Sequence, residues 1–256
     1  MRHFITRQSI TRQLITRWIA SLQFITILPL GRPQPFDAKG IITCFPLAGL
    51  GIGLILAGAD SLFSFLWPAG VAAVLDVALL ALITGALHLD GLADMADGLY
   101  GRRDRETALS IMKDSRVGAM GLVTVVLLLM TKTAAIAGAE QHRFLALVII
   151  PAYARSAMMA GIFFLPYARG NEGTGSSFFE TPLRFTDFGF FLIPLILSLF
   201  LGWPGILLNM VFVGLIAALI WFYSKKLGGI TGDLLGAMAE IVETALFLVV
   251  CVGASG

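Results

Sequence analysis

Long apolar runs separated by short polar breaks dominate the chain from residue 41 to residue 252. Seven of them, near 41–66, 69–87, 117–138, 144–165, 187–202, 205–223 and 234–252, are candidates to cross a bilayer. A spanning helix needs about 20 apolar residues, so 187–202 is short. The run at 69–87 is short too and leads straight into a polar stretch. Ahead of them all, Leu22 to Leu30 reads as a helix lying in the membrane interface, stopped near Pro29 and Pro33. The pattern predicts an all-α fold, a polytopic transmembrane helix bundle with about seven spans and an N-terminal interfacial helix. Residues 1–18 form a basic extension and 19–256 a single integral membrane domain.

Composition agrees. The sequence is 57% hydrophobic and 13% charged, against about 25% charged in ordinary soluble domains. Cys44 and Cys251 both sit in apolar runs and read as buried, inert thiols. No cleavable leader is evident before Trp18. The basic residues are unevenly placed. Arg2, Arg7, Arg12, Arg17, Arg32 and Lys39 precede the first span, and Arg102, Arg103, Arg105, Lys113 and Arg116 follow the second. Arg169, Arg184, Lys225 and Lys226 fall in alternate later loops. The opposite turns carry only Arg143. Cytoplasmic loops collect Lys and Arg, which predicts an internal N-terminus, an external C-terminus at Gly256, and outer positions for Asp60 and Asp76. The N-terminal arginines suit anionic headgroups of the bilayer. Nucleic acid is not expected as a partner.

One stretch stands apart: His88-Leu89-Asp90-Gly91-Leu92-Ala93-Asp94-Met95-Ala96-Asp97-Gly98. Asp90, Asp94 and Asp97 are spaced i, i+4 and i+7, within about a 60° sector of a helix. Like charges so placed repel by a few tenths of a kcal/mol per pair. A bound divalent cation explains them most economically, and hard carboxylate oxygens suit Mg²⁺ or Mn²⁺. His88 points nearly opposite to Asp90, which leaves it as a substrate contact, a general base or an idle interfacial residue. A second acidic stretch, Thr231 to Glu243, places Asp233 and Glu240 on one face, with Glu243 a turn further on. Acids opening a predicted span need a polar cavity, and a site shared by the two stretches supplies one. Lys113, Arg116, Lys132 and Arg155 are candidates to hold phosphate oxygens; Arg155 lies inside an apolar run and needs a partner. Metal-binding acids beside cations describe a diphosphate site.

The acidic motif is similar to the signature of the cobalamin synthase family, the adenosylcobinamide-GDP ribazoletransferases. The likeness extends to Leu22-Gln23-Phe24-Ile25-Thr26, Phe45-Pro46-Leu47, Ile111-Met112-Lys113-Asp114 with Arg116-Val117-Gly118, Pro151-Ala152 with Arg155, Tyr167-Ala168-Arg169, and Thr231-Gly232-Asp233 with Glu240. It covers roughly residues 19–250, with Met95 where Thr is usual and Lys113 where Arg is common. The resemblance implies an enzyme of the bacterial cytoplasmic (inner) membrane with the acidic motif on the cytoplasmic side. By the same resemblance, the ribose hydroxyl of α-ribazole, or of its 5′-phosphate, is expected to attack the cobinamide-side phosphate of adenosylcobinamide-GDP, with GMP leaving and Mg²⁺ required. Asp90, Asp94 and Asp97, with Asp233 and Glu240, are then expected at the metal. Lys113, Arg116 and Arg155 are expected at phosphate, and a carboxylate or His88 at the hydroxyl proton. A homo-oligomer is left open. The rival readings are a CDP-alcohol-type phosphotransferase, whose aspartate spacing differs, and a transporter, whose acids would lie nearer the midplane.

Overall fold

A computed structural model describes residues 2–139, 142–170 and 175–252, with side chains from residue 11 onward within those ranges. Gly256 and the side chains of Arg2 and Arg7 lie outside it. The described residues are all-helical apart from one isolated bridge between Tyr167 and Ile230. In order they form α1 (Arg2–Ile25), α2 (Ala38–Thr43), α3 (Phe45–Leu66), α4 (Ala69–Ile83), α5 (Leu87–Leu99) and α6 (Arg105–Ile111). There follow α7 (Ala119–Gly138), α8 (Arg143–Phe164), α9 (Leu192–Ser198), α10 (Trp203–Leu227) and α11 (Gly232–Val250).

The centre of the bundle is α8, with 94% of its apolar stretch buried. Its closest neighbour is α3, and the contact works because α3 offers Gly49 and Gly53 to it. A Cβ on Gly49 would sit 2.4 Å from the Pro151 carbonyl oxygen, and one on Gly53 2.1 Å from that of Val148. Small residues four apart let two backbones touch, the usual close contact of helices in lipid. The pairing is antiparallel, since rising numbers on α3 meet falling numbers on α8. By contrast α3, α7 and α10 turn much of their apolar surface outward: Leu54, Met130, Met210 and Trp221 are all exposed. Such an exterior suits lipid rather than water. Four helices, α3, α7, α8 and α10, are long and apolar enough to cross a membrane, and α4 with α5 makes a fifth if counted as one bent span. This is a membrane protein.

Several elements differ from expectation. The helix placed at Leu22–Leu30 is instead α1, running through the expected boundary at residue 18 and ending at Ile25. The Ile27 amide bonds to the Ile83 carbonyl at 2.8 Å, so the chain crosses the end of α4 before Pro29 is reached. The run at 41–66 breaks at Cys44, and Pro46 takes the first turn of the new helix, where its missing N–H costs nothing. The run at 187–202 is divided into a tight turn at Phe185–Gly189, α9, and another at Leu199–Leu201. Pro194 cannot bond backward, so no single helix runs through from Phe185. The run at 69–87 stops at Ile83, and α5 leaves at 90°. Gly85 (φ 59°) and Ala86 (φ 56°) make that corner, both left-handed. For alanine this costs about 1–2 kcal/mol.

At the far end of the α3–α8 pair, Arg143 bonds Asp60 at 2.6 Å and Asp76 at 2.8 Å. The two acids that the sequence places at outer turns are thus closed into one buried triad.

Candidate active site

The corner at Gly85–Ala86 sends α5 across the bundle, where it lies antiparallel on α11. A Cβ on Gly91 would meet the Asp233 carbonyl oxygen at 2.6 Å, and one on Gly236 would meet His88 Cα at 3.1 Å. The two acidic stretches therefore cross with glycine at both contact points. Thr231 starts α11 by accepting a hydrogen bond from the Leu234 amide at 3.2 Å. That leaves Asp233 in the first turn, where the helix dipole favours a carboxylate.

At this crossing lies a cleft of about 240 Å³, whose polar wall includes His88, Asp90, Arg169 and Asp233 and whose apolar wall includes Tyr167 and Phe178. His88 and Asp90 both contribute although they point nearly oppositely, because the cleft runs over the first turn of α5. Asp94 lies a turn further along, half-buried, and feels the charges of Asp90, Asp233, Arg169 and Asp97.

Arg169 was not singled out for phosphate in the sequence, where it is one basic residue in a loop. The structure carries it in through backbone pairing. The Ala168 amide bonds the Ile230 carbonyl and the Ile230 amide bonds the Pro166 carbonyl, both at 2.9 Å. Arg105 clamps the same junction, donating to the carbonyls of Leu227 at 2.7 Å and Ala168 at 2.6 Å. Arg169 then reaches Asp233 with Nη2 at 2.8 Å, while its buried Nε has no partner among the described residues. The sequence signal was available: Tyr167-Ala168-Arg169 belongs to the family resemblance, but loop pairing to residue 230 has no signature in periodicity.

Other expected site residues are placed elsewhere. Asp97 accepts hydrogen bonds from the amides of Gly118 at 2.7 Å and Gly121 at 2.9 Å, capping α7 from another helix. Glu240 is turned into the bundle, 2.6 Å from Lys132 Nζ. Lys132 also meets Glu243 at 2.8 Å, and Glu243 meets Arg155 at 2.7 Å. These four side chains form a closed, buried set with two charges of each sign. Arg155 Nη2 also lies 3.4 Å from His88 Nδ1. Neither Glu240 nor Arg155 lines the cleft. Lys113 and Arg116 are exposed in the segment between α6 and α7. Arg116 is bonded bidentately to Asp114, Nε to Oδ1 and Nη2 to Oδ2, and holds that carboxyl down at about 2.

Among the described residues no three His, Cys, Asp or Glu side chains converge as a ready metal cage. Mg²⁺ seldom needs one: it usually takes one or two carboxylates, several waters and the substrate's phosphates. Asp90 and Asp94, hard oxygen donors on one face of α5 with Asp233 opposite, fit that kind of site.

A family model described as Cobalamin-5-phosphate synthase matches residues 17–251. Among curated relatives, an adenosylcobinamide-GDP ribazoletransferase of Geotalea daltonii is 40% identical over 92% of this chain and 97% of its own. One of Pseudomonas putida is 40% identical over 90% and 96%, and one of Roseiflexus sp. 39% over 87% and 84%. No solved structure matches. With the match running across every helix that builds the cleft, the chain belongs to the cobalamin-5-phosphate synthase family.

Proposed function

We propose that this protein joins adenosylcobinamide-GDP to α-ribazole or its 5′-phosphate and releases GMP, the late nucleotide-loop step of cobalamin biosynthesis. The observation that carries the reading is the crossing of α5 and α11. It brings Asp90, Asp233 and Arg169 into one cleft, with Asp94 a turn further along α5 and close enough to feel their charges, the mixture of acids and a cation that a metal-bound diphosphate requires. The relatives' names supply the substrates.

Arg169 holds the diphosphate. Its Nε is unpartnered among the described residues and its Nη2 bond to Asp233 keeps the guanidinium oriented; a fixed fork of donors recognises phosphate oxygens well. Asp90 and Asp94 would hold Mg²⁺, with Asp233 beside them. When bound, the ion neutralises charge on the diphosphate. The aromatic wall at Tyr167 and Phe178 excludes water and offers faces for a base to stack on. The ribazole hydroxyl oxygen bonds to the cobinamide-side phosphorus. The bond from that phosphorus to the bridging oxygen breaks, and its electron pair leaves with GMP. The hydroxyl proton has two classes of acceptor in the wall, the aspartates and the His88 imidazole.

The family's substrates and the positive-inside pattern together favour a bacterial inner membrane with the cleft on the cytoplasmic side, where both nucleotides are available. The basic N-terminal part of α1 then lies against headgroups, and α9 with its flanking turns and α11 complete up to seven crossings.

The test is direct. Membranes containing the protein are incubated with Mg²⁺, α-ribazole 5′-phosphate and adenosylcobinamide-GDP. GMP release with a corrinoid product is expected. GMP release absent here, with CMP release from a CDP-alcohol instead, would reject the reading.

A further inference from the structure

His88 is 2% exposed, and its ring touches two different environments. Nδ1 faces the guanidinium of Arg155 at 3.4 Å. Nε2 is buried without a partner among the described residues, and the residue forms part of the wall of the cleft. Arginine has five N–H donors and no acceptor. A ring nitrogen facing it serves as an acceptor, so Nδ1 carries no hydrogen and Nε2 does. The contact is long, but the guanidinium cannot turn away, because its Nη1 is tied to Glu243 at 2.7 Å. Glu243 is in turn fixed by Lys132 at 2.8 Å. The tautomer is thus set from four helices: α7 holds α11, α11 holds α8, and α8 holds the ring on α5.

We propose that Arg155 fixes His88 as an Nε2–H donor, and that this hydrogen bonds an oxygen of the bound diphosphate. The inference rests on the cleft being the transfer site. It gives the closed charge network a task, since Arg155 is then a positioning residue that acts through His88 and touches no phosphate. It also divides the labour of proton transfer. A ring whose Nδ1 is occupied by a guanidinium and whose Nε2 already bears hydrogen cannot take the hydroxyl proton. That proton goes to a carboxylate oxygen of the cleft as the new O–P bond forms. A buried N–H left without an acceptor is costly; a diphosphate oxygen arriving in the cleft removes that cost only when substrate is bound.

Two substitutions separate donor from base. His88→Gln keeps an amide N–H near the Nε2 position and offers no base. His88→Ala keeps neither. GMP release is expected to fall by about 10²-fold or more in His88→Ala, the scale for losing one oxyanion donor, while His88→Gln turns over at least about tenfold faster than His88→Ala because the donor is kept. Equal loss in both variants, or no loss in His88→Ala, overturns the donor role. A second readout is independent of turnover. In protein with His3 and His142 replaced by Gln and ¹⁵N-histidine incorporated, long-range ¹H–¹⁵N correlation in nanodiscs reports the ring protons of His88 alone. Hydrogen on Nε2 only is expected. Hydrogen on Nδ1 overturns the proposal even if the enzyme is active. A parent that turns over no substrate while Nε2 bears the hydrogen rejects the transfer reading, and with it the phosphate acceptor, but leaves the Arg155–His88 arrangement standing.

Discussion

Helix α11 carries two acids seven residues apart that meet opposite fates. Asp233, in the first turn, stays half-exposed at a cleft and shares one arginine. Glu240, two turns deeper, is buried against Lys132, with Glu243 and Arg155 completing a set in which both acids and both bases have partners. Among the described residues the upper group has more carboxylates than cations, with Asp90, Asp94 and Asp233 near Arg169. The lower group is balanced. Surplus negative charge at an open cleft attracts a cation and the phosphates it brings. A balanced buried set holds helices in register and aims a neighbour. On the proposed function, the group with surplus acid is the one that meets substrate, and the balanced group is the one that positions it.

That contrast is broken most forcefully at Glu243. Glu243→Ala leaves Arg155 without its carboxylate inside the bundle, and removing one partner of a buried pair costs about 3–5 kcal/mol. Thermal unfolding in detergent should show the largest drop of any single substitution in the network. A mild shift would mean that water reaches the set. Arg169→Ala addresses the open group. Loss of charge-assisted bonds worth about 1.5–3 kcal/mol predicts a KM for adenosylcobinamide-GDP raised roughly ten- to hundredfold, with the unfolding temperature little changed. Steady-state GMP release checks it. Gly91→Val tests the crossing that brings the two acidic stretches together. Its Cβ has no room beside the Asp233 carbonyl, so overpacking of about 1–3 kcal/mol is expected, with reduced activity. Smallest of all is Arg116→Ala. That side chain is exposed and spent on Asp114, and GMP release should match the parent's.

The sequence was most legible where a rule of spacing applied. Asp90 and Asp94 share a face because helical periodicity says so, and the need for α5 and α11 to meet follows from the expense of acids in lipid. Paired fates were not legible. Asp97 satisfies i, i+7 with Asp90, yet it caps α7, because the glycines at 118 and 121 present bare amides to it. Glu240 satisfies i, i+7 with Asp233, yet Lys132 reaches it from a helix 108 residues away in sequence. Arg155 was rightly expected to need a partner; which one depended on depth in the bundle. Apolar length predicted α3, α7, α8 and α10 well. It failed at residues 187–202 and at the α4–α5 corner, where one proline and one left-handed alanine outweigh hydropathy.

The proposed function requires that the acids at the α5–α11 crossing carry the reaction. GMP release by the Asp94→Asn protein, reconstituted in lipid with Mg²⁺ and both substrates, tests it most directly. Normal insertion and unfolding temperature with turnover lowered by about 10²-fold or more is the predicted result. Turnover close to the parent's in a properly inserted Asp94→Asn protein would contradict it.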